Sequence, residues 1–258
     1  MSILINYFIL HLKIRLQYKI SFIFSLIAQL IVVLLELFVI QSMFSKFKLL
    51  EEYNINELYL NFSIIWLGYS LAQSFGRGFD KFSNIIKNGN FDILLIRPQN
   101  IFIQIIGSDF YFEKFSRIIS TLILFIYSSI KVVNNISILK IYLLITMILG
   151  AFIISLAIFI IGASICFYTI EGLEFINIFS DGTKQLAQYP MNIYNKIIKK
   201  VFTFIIPITL INYYPIEYLS GRSNSTIYAI TPTIACLSII PAIALFKYGL
   251  KKYKSSGS

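Results

Sequence analysis

IYLLITMILGAFIISLAIFIIGASICFYTI, residues Ile141 to Ile170, is a run of 30 residues without a single charge. A hydrocarbon layer about 30 Å thick is crossed by about 20 helical residues, so this run has length to spare. It reads as a transmembrane helix that tilts or projects beyond the bilayer. Its small residues, Gly150, Ala151, Ser155, Ala157, Gly162 and Ala163, suit close approach of a neighbouring helix. Five further apolar runs flank it: Ser21 to Phe44, Leu58 to Phe75, Phe115 to Val133, Val201 to Tyr214 and Ser225 to Phe246. The chain therefore reads as an all-α integral membrane protein, one transmembrane domain of six helices over residues 1–258. A mean hydropathy of +0.78 with 13% charged residues excludes a soluble globular domain.

The basic residues set the expected orientation. Of the 22 Lys and Arg, 17 fall in the N-terminal segment, the connection between spans two and three, the connection between spans four and five, and the C-terminal segment. That asymmetry places both termini in the cytoplasm. The same dispersal along span ends, with no basic stripe, argues against a nucleic-acid partner. Residues 1–20 lack the order of a cleavable signal, because Lys13, Arg15 and Lys19 follow an apolar start. They read as a helix lying at the cytoplasmic membrane interface or, equally, as the positively charged flank of span one. His11 is the only histidine, and Cys166 and Cys236 sit in apolar runs. No metal site and no catalytic triad is expected from such a set. The fifth run is short and holds Pro207, with Pro215 just beyond it. It is expected to break and to continue as an outer, re-entrant element. Lys114, Arg117 and Lys131 read as basic flanks, with Arg117 and Lys131 snorkelling at the ends of span three, and Glu51, Glu52 and Glu57 as a solvated outer surface.

Between spans two and three lie 39 residues, Gly76 to Lys114. Phe79, Phe82, Ile85 and Ile86 share one helical face with Asp80, Lys81, Asn84 and Lys87 opposite, and Gly89 is placed to end that helix. A second short element, Phe91 to Ile96, stops at Arg97-Pro98. An apolar ridge on a cytoplasmic elbow suits docking to a soluble partner, or lying on lipid. Glu36 is the acidic residue well inside a span, and an intramembrane carboxylate is expected to face a path or a partner helix. Tyr213, Tyr214 and Tyr218 form an aromatic belt at the outer end of span five.

Asn88-Gly89-Asn90-Phe91-Asp92-Ile93-Leu94-Leu95-Ile96-Arg97-Pro98 resembles the G-x-x-D-x-x-L-x-R-P segment of a bacterial family of type-2 ATP-binding-cassette (ABC) exporter permeases. Ile206-Pro207 with Tyr213-Tyr214-Pro215 is similar to the P … Y-x-P pattern of that family's fifth span. The terminal Gly249-Leu250-Lys251-Lys252-Tyr253-Lys254-Ser255-Ser256-Gly257-Ser258 resembles its closing G-L-x-x-Y-x-S-x-G-S. Tyr248 stands where the family commonly has Trp. The resemblance implies a permease subunit in a bacterial cell membrane, paired with a second permease, identical or related, on two ATPase subunits. Those subunits would bind ATP and magnesium; this chain would carry no cofactor and would not itself be an enzyme. It has no G-x-x-x-x-G-K-[ST] loop to cradle a nucleotide. The resemblance makes Phe79, Phe82, Ile85, Ile86, Phe91, Asp92 and Arg97 the expected ATPase-coupling contact. Glu36 becomes a candidate for the translocation path or the partner permease, and Tyr213, Tyr214 and Tyr218 for an outer gate. A stand-alone secondary transporter or channel would need several buried charges along a path, and Glu36 is the one that qualifies from sequence. A membrane-embedded enzyme would rest on Asp109 and Glu113 with no histidine beside them.

Overall fold

The computed structural model describes residues 2–46, 53–133, 135, 137–169 and 172–253, and its regular elements are all helical. Two helices open the chain, α1 (Ser2–Gln17) and α2 (Lys19–Lys46), followed by α3 (Ile55–Phe75). The elbow is four short helices, α4 (Arg77–Asp80), α5 (Phe82–Lys87), α6 (Asn90–Ile96) and α7 (Ile101–Ser108). Two long helices come next, α8 (Phe115–Val132) and α9 (Ile138–Ile165), then α10 (Gly172–Ala187). The remainder is α11 (Lys196–Phe204), α12 (Tyr213–Leu219), α13 (Thr231–Ala235) and α14 (Ile239–Lys252).

Local chemistry sets several of these boundaries. Asn54, Asn100, Ser137 and Asn195 cap α3, α7, α9 and α11, each side chain accepting from a backbone N–H of the first turn. Gly89 adopts φ +68°, the left-handed conformation that ends α5 and lets α6 begin at once.

Four stretches are long and apolar enough to cross a membrane: Lys19–Lys46, Phe112–Val132, Ile138–Ile165 and Thr231–Lys252. A fifth is added if the bent pair Lys196–Phe204 and Ile208–Leu219 is one span. That pair meets at 78°, so Val201 to Tyr214 is not one straight helix. Pro207 lies in the break, where it has no N–H to give. α3 has the length of a span, yet Asn61, Ser63, Ser70, Gln73 and Ser74 dilute its hydropathy. The same polar residues go with its place in the bundle, for almost every residue from Leu58 to Ser70 is buried. The uncharged run at Ile141 is helical from Ile138 to Ile165 and then turns at Cys166; Ile170 lies outside the described residues.

The buried side chains form three clusters, one of them Val33 and Ile40 of α2 with Leu58, Phe62 and Trp66 of α3, the other two at opposite ends. Leu60 and Ile64 of α3, Val132 of α8 and Leu143 and Met147 of α9 meet Ala187, Ile211, Leu219 and Ala235 at one end. At the other, Tyr69 and Ala72 of α3 and Ala157, Ala163 and Cys166 of α9 meet the elbow and Phe246 of α14. Between them α10 runs antiparallel to α3. Tyr69 Oη donates to Asp181 at 2.8 Å at the middle of α10, and Asn61 Nδ2 to the Ala187 carbonyl at 3.2 Å at its C-terminal end. The chain thus returns from the elbow end through α10, and α11 and α12 pack at the far end.

α3 and α9 cross with almost nothing between them. A Cβ on Gly68 would stand 2.3 Å from the Ala151 Cβ and 2.6 Å from its backbone. Gly68→Ala is therefore expected to destabilise the purified protein by about 1–3 kcal/mol through overpacking. Gly182→Ala, in an open position of α10, should be neutral or slightly stabilising, since Ala is the better helix former by about 1 kcal/mol. Equal melting temperatures for wild type and Gly68→Ala in thermal unfolding would show that α3 and α9 are not in this contact.

Candidate coupling elbow and interhelical polar site

The elbow is held by aromatic rings. Phe82 packs edge-on against Phe91, Phe167 and Phe246 at centroid distances of 5.1, 5.2 and 5.5 Å, and Phe91 stands perpendicular to Tyr253 at 4.9 Å. Phe79 meets Phe246 at 5.7 Å. Offset and edge-on pairs are the favoured geometries for such rings. Phe79, Phe82 and Phe91 are fully buried, Ile86 nearly so and Ile85 partly. The ridge that the sequence pattern aims at a soluble partner is thus turned onto the chain's own α9 and α14. It is also two helices, α4 and α5, broken at Lys81. What the elbow exposes is the face of α6 beyond it. Ile93, Leu95 and Arg97 lie open, and Ile96 is 83% exposed.

Two sequence motifs far apart in the chain meet here. Tyr253 of the closing motif hydrogen-bonds Asp92 of the elbow motif, and burial together with that carboxylate raises the phenol pKa above its usual 10.0. Ser255, Gly257 and Ser258 lie outside the described residues. α1 packs along α7, where His11 Nε2 lies 3.2 Å from the Gly107 carbonyl and Phe8 meets Phe110 and Phe112. Asp109 and Glu113 are joined in ion pairs to Lys81 at 2.9 Å and Arg15 at 3.1 Å. They staple α1 to the elbow.

A second polar group lies between α2, α3, α8 and α10. Trp66 Nε1 donates to Gln188 Oε1 at 2.9 Å, Gln188 Nε2 to Gln185 Oε1 at 2.8 Å, and Gln185 Nε2 to Glu36 Oε1 at 3.1 Å. Glu36 is half-buried and its carboxylate is answered by α10. Lys184 Nζ and Arg117 Cζ stand 4.4 and 4.7 Å from the Trp66 ring. Lys114 Nζ donates to Gln29 Oε1 at 3.1 Å and lies over Tyr111. Arg117 and Lys114 are about 95% and 93% buried, so neither snorkels to an aqueous face. The sequence signal was present but divided: polar positions in an apolar α3, and cations at the start of α8 that also read as span flanks.

At the opposite end Tyr213, Tyr214 and Tyr228 form a chain of rings at 5.2 and 5.0 Å, and Lys199 Nζ lies 3.9 Å over Tyr213. Tyr218 packs against the neighbouring apolar cluster. Glu57 is buried, contrary to a solvated reading, because Arg222 reaches it at 2.8 Å while also bonding Glu217 at 3.1 Å. Glu51 and Glu52 lie outside the described residues.

Four or five helices long and apolar enough to cross a membrane define a multi-pass membrane protein. The family description "ABC-2 family transporter protein" matches residues 30–257, and the chain belongs to that family. It is accordingly a multi-pass membrane permease component of an ABC transporter, and the family implies association with ABC ATPase subunits. Comparison with curated proteins and with solved structures gave no match.

Phe91→Ala is expected to lower stability by about 3–5 kcal/mol, since it empties a buried ring site. Tyr253→Phe keeps the ring and removes one hydrogen bond, a loss of about 0.5–1.5 kcal/mol. Thermal unfolding in detergent should rank them in that order; the reverse order would mean that the elbow is held by the Asp92 bond instead of the rings.

Proposed function

We propose that this chain is the permease subunit of a bacterial ABC exporter. Two permeases, identical or related, would stand on two ATPase subunits in the cell membrane, with ATP and magnesium bound by the ATPases. Both termini and the elbow face the cytoplasm in this reading. The six crossings are α2, α3, α8, α9, α10 and α13–α14, which moves the fifth from Val201–Tyr214 to α10. What supports that change is the antiparallel register of α10 on α3, from Tyr69–Asp181 to Asn61–Ala187. α11 and α12 then form an outer re-entrant element with its bend at Pro207. Lys196, Lys199 and Lys200 become outer residues, and the elbow side still holds the majority of the basic charge. Tyr213, Tyr214 and Tyr218 line the outer gate.

The observation that carries the coupling assignment is the exposed apolar face of α6, Ile93, Leu95 and Ile96, ending in Arg97. Large apolar side chains left open on a locked element mark an interaction surface. Phe79, Phe82, Ile85, Ile86, Phe91 and Asp92 are then the base that holds α6 in place, and α6 is the part that touches the ATPase. Ile93→Asp with Ile96→Asp is expected to release the ATPase from purified complexes while the permease stays monodisperse. Retention of the ATPase through detergent and salt would overturn the assignment. Glu36, bonded to Gln185, faces the translocation path or the partner permease. Glu36→Gln preserves a hydrogen-bonding side chain, so assembly should survive while substrate-stimulated ATPase activity changes. Unchanged kinetics with several substrates would leave Glu36 a purely structural carboxylate.

A further inference from the structure

The turn from α1 into α2 holds a pocket of about 230 Å³. Arg15 of α1, Tyr18 of the turn, Ser21, Phe22 and Ser25 of α2, and Glu113, just ahead of α8, all line it. Its volume is below that of drug-sized sites and suits a small polar head. Glu113 is 7% exposed, and its Oε2 has no hydrogen-bond partner. Among the described residues its carboxylate forms one ion pair, with Arg15 Nη1 at 3.1 Å. A carboxylate accepts at about four lone-pair sites, and a buried one short of donors is costly.

Arg15 is also only partly used. Its second acid, Asp109, stands 3.9 Å from Nη2, beyond hydrogen-bonding distance, and already holds Lys81 at 2.9 Å. A guanidinium carries five N–H donors, more than the contact with Glu113 can take up. One pocket therefore offers a cation with spare donors beside an anion with a spare acceptor, the two halves that a zwitterion matches. A primary ammonium brings three N–H donors to such a carboxylate, whereas a trimethylated one brings none. The setting points to a lipid. Tyr18, which lines the pocket, is 72% exposed, and α2 begins here with its apolar surface largely uncovered. A phenol ring with a polar tip belongs at headgroup level.

We propose that Arg15 and Glu113 bind the phosphoethanolamine head of an aminophospholipid, phosphate on the guanidinium and ammonium on the carboxylate, with its acyl chains along the exposed face of α2. The lipid is then a ligand of the junction between α1, α2 and the elbow. The full-length chain in mild detergent would be titrated with phosphatidylethanolamine, phosphatidylcholine and phosphatidylglycerol of identical chains, and with glycerophosphoethanolamine, and bound molecules counted by native mass spectrometry. The first phosphatidylethanolamine is expected to bind at least about tenfold more tightly than either other lipid, as a charge-assisted hydrogen bond gained or lost requires. Glu113→Gln should erase the preference over phosphatidylcholine, and Arg15→Gln should weaken both zwitterionic lipids. Ser25 Oγ donates to the Ser21 carbonyl at 2.9 Å, so Ser25→Leu fills the pocket from α2 and leaves the ion pair in place. It should abolish the preference too, and it decides the matter if the charge variants fail to fold. Equal binding of phosphatidylethanolamine and phosphatidylcholine, tighter binding of phosphatidylglycerol, or a preference that survives both Glu113→Gln and Ser25→Leu overturns the proposal. Glycerophosphoethanolamine binding at the same midpoint as the lipid also overturns it, by making the ligand a soluble zwitterion. The titration needs no ATPase, so loss of docking at α6 leaves its result unchanged.

Discussion

The contact between Gly68 and Ala151 brings α3 against α9 at backbone distance, and the rest of the bundle is organised around that approach. With no side chain to separate the two helices, α3 is enclosed by α8 and α9, with α10 along another side. A helix so enclosed is free to carry polar groups, because protein and not lipid receives them. Asn61, Trp66 and Tyr69 all use that freedom toward α10 and Gln188. α2 stands at the opposite extreme. Only 11% of its apolar window is buried, and it is tied to α8 through Ser116 Oγ to the Leu26 carbonyl and Lys114 to Gln29.

What hydropathy can read, it read here. The runs at Ser21, Phe115 and Ile141 match α2, α8 and α9 to within a few residues, because a long, predominantly apolar stretch has few ways to satisfy its backbone other than a spanning helix. The helix α10 was not legible, for the converse reason. Asp181, Lys184 and Gln185 make it look like a cytoplasmic connection, and only the partners waiting on α3 and α2 make those residues tolerable inside a bundle. Periodicity located the apolar face of the elbow correctly at Phe79, Phe82 and Ile86 but could not say what that face meets. Its partners, Phe167, Phe246 and Tyr253, are about 75 to 170 residues away in sequence.

The Glu57–Arg222 pair shows the same limit at the other end. Each residue alone reads as a hydrated charge in an outer loop. Brought together with Glu217 and the Tyr53 ring, they hold the chain after α12 to the start of α3, a tie across 165 positions. A guanidinium shared at this half-buried place between two carboxylates, Nη1 to Glu57 and Nε to Glu217, has geometric value beyond its modest free energy, because it fixes one orientation of two segments.

The two ends of the bundle therefore differ in kind. At the elbow end, rings from α5, α6, α9 and α14 interlock, and close-packed aromatic contacts transmit displacement instead of absorbing it. Phe91, under the exposed face of α6, has Phe82, Phe167 and Tyr253 packed against it. At the far end the segment from α11 to α12 turns through 78° at a proline and leaves Phe204 and Ile205 largely exposed. The α11–α12 bend is also where Ile154 and Ile158 of α9 line a groove beside Pro207 from the bundle interior, so the same helix that packs against the elbow rings forms part of that groove wall.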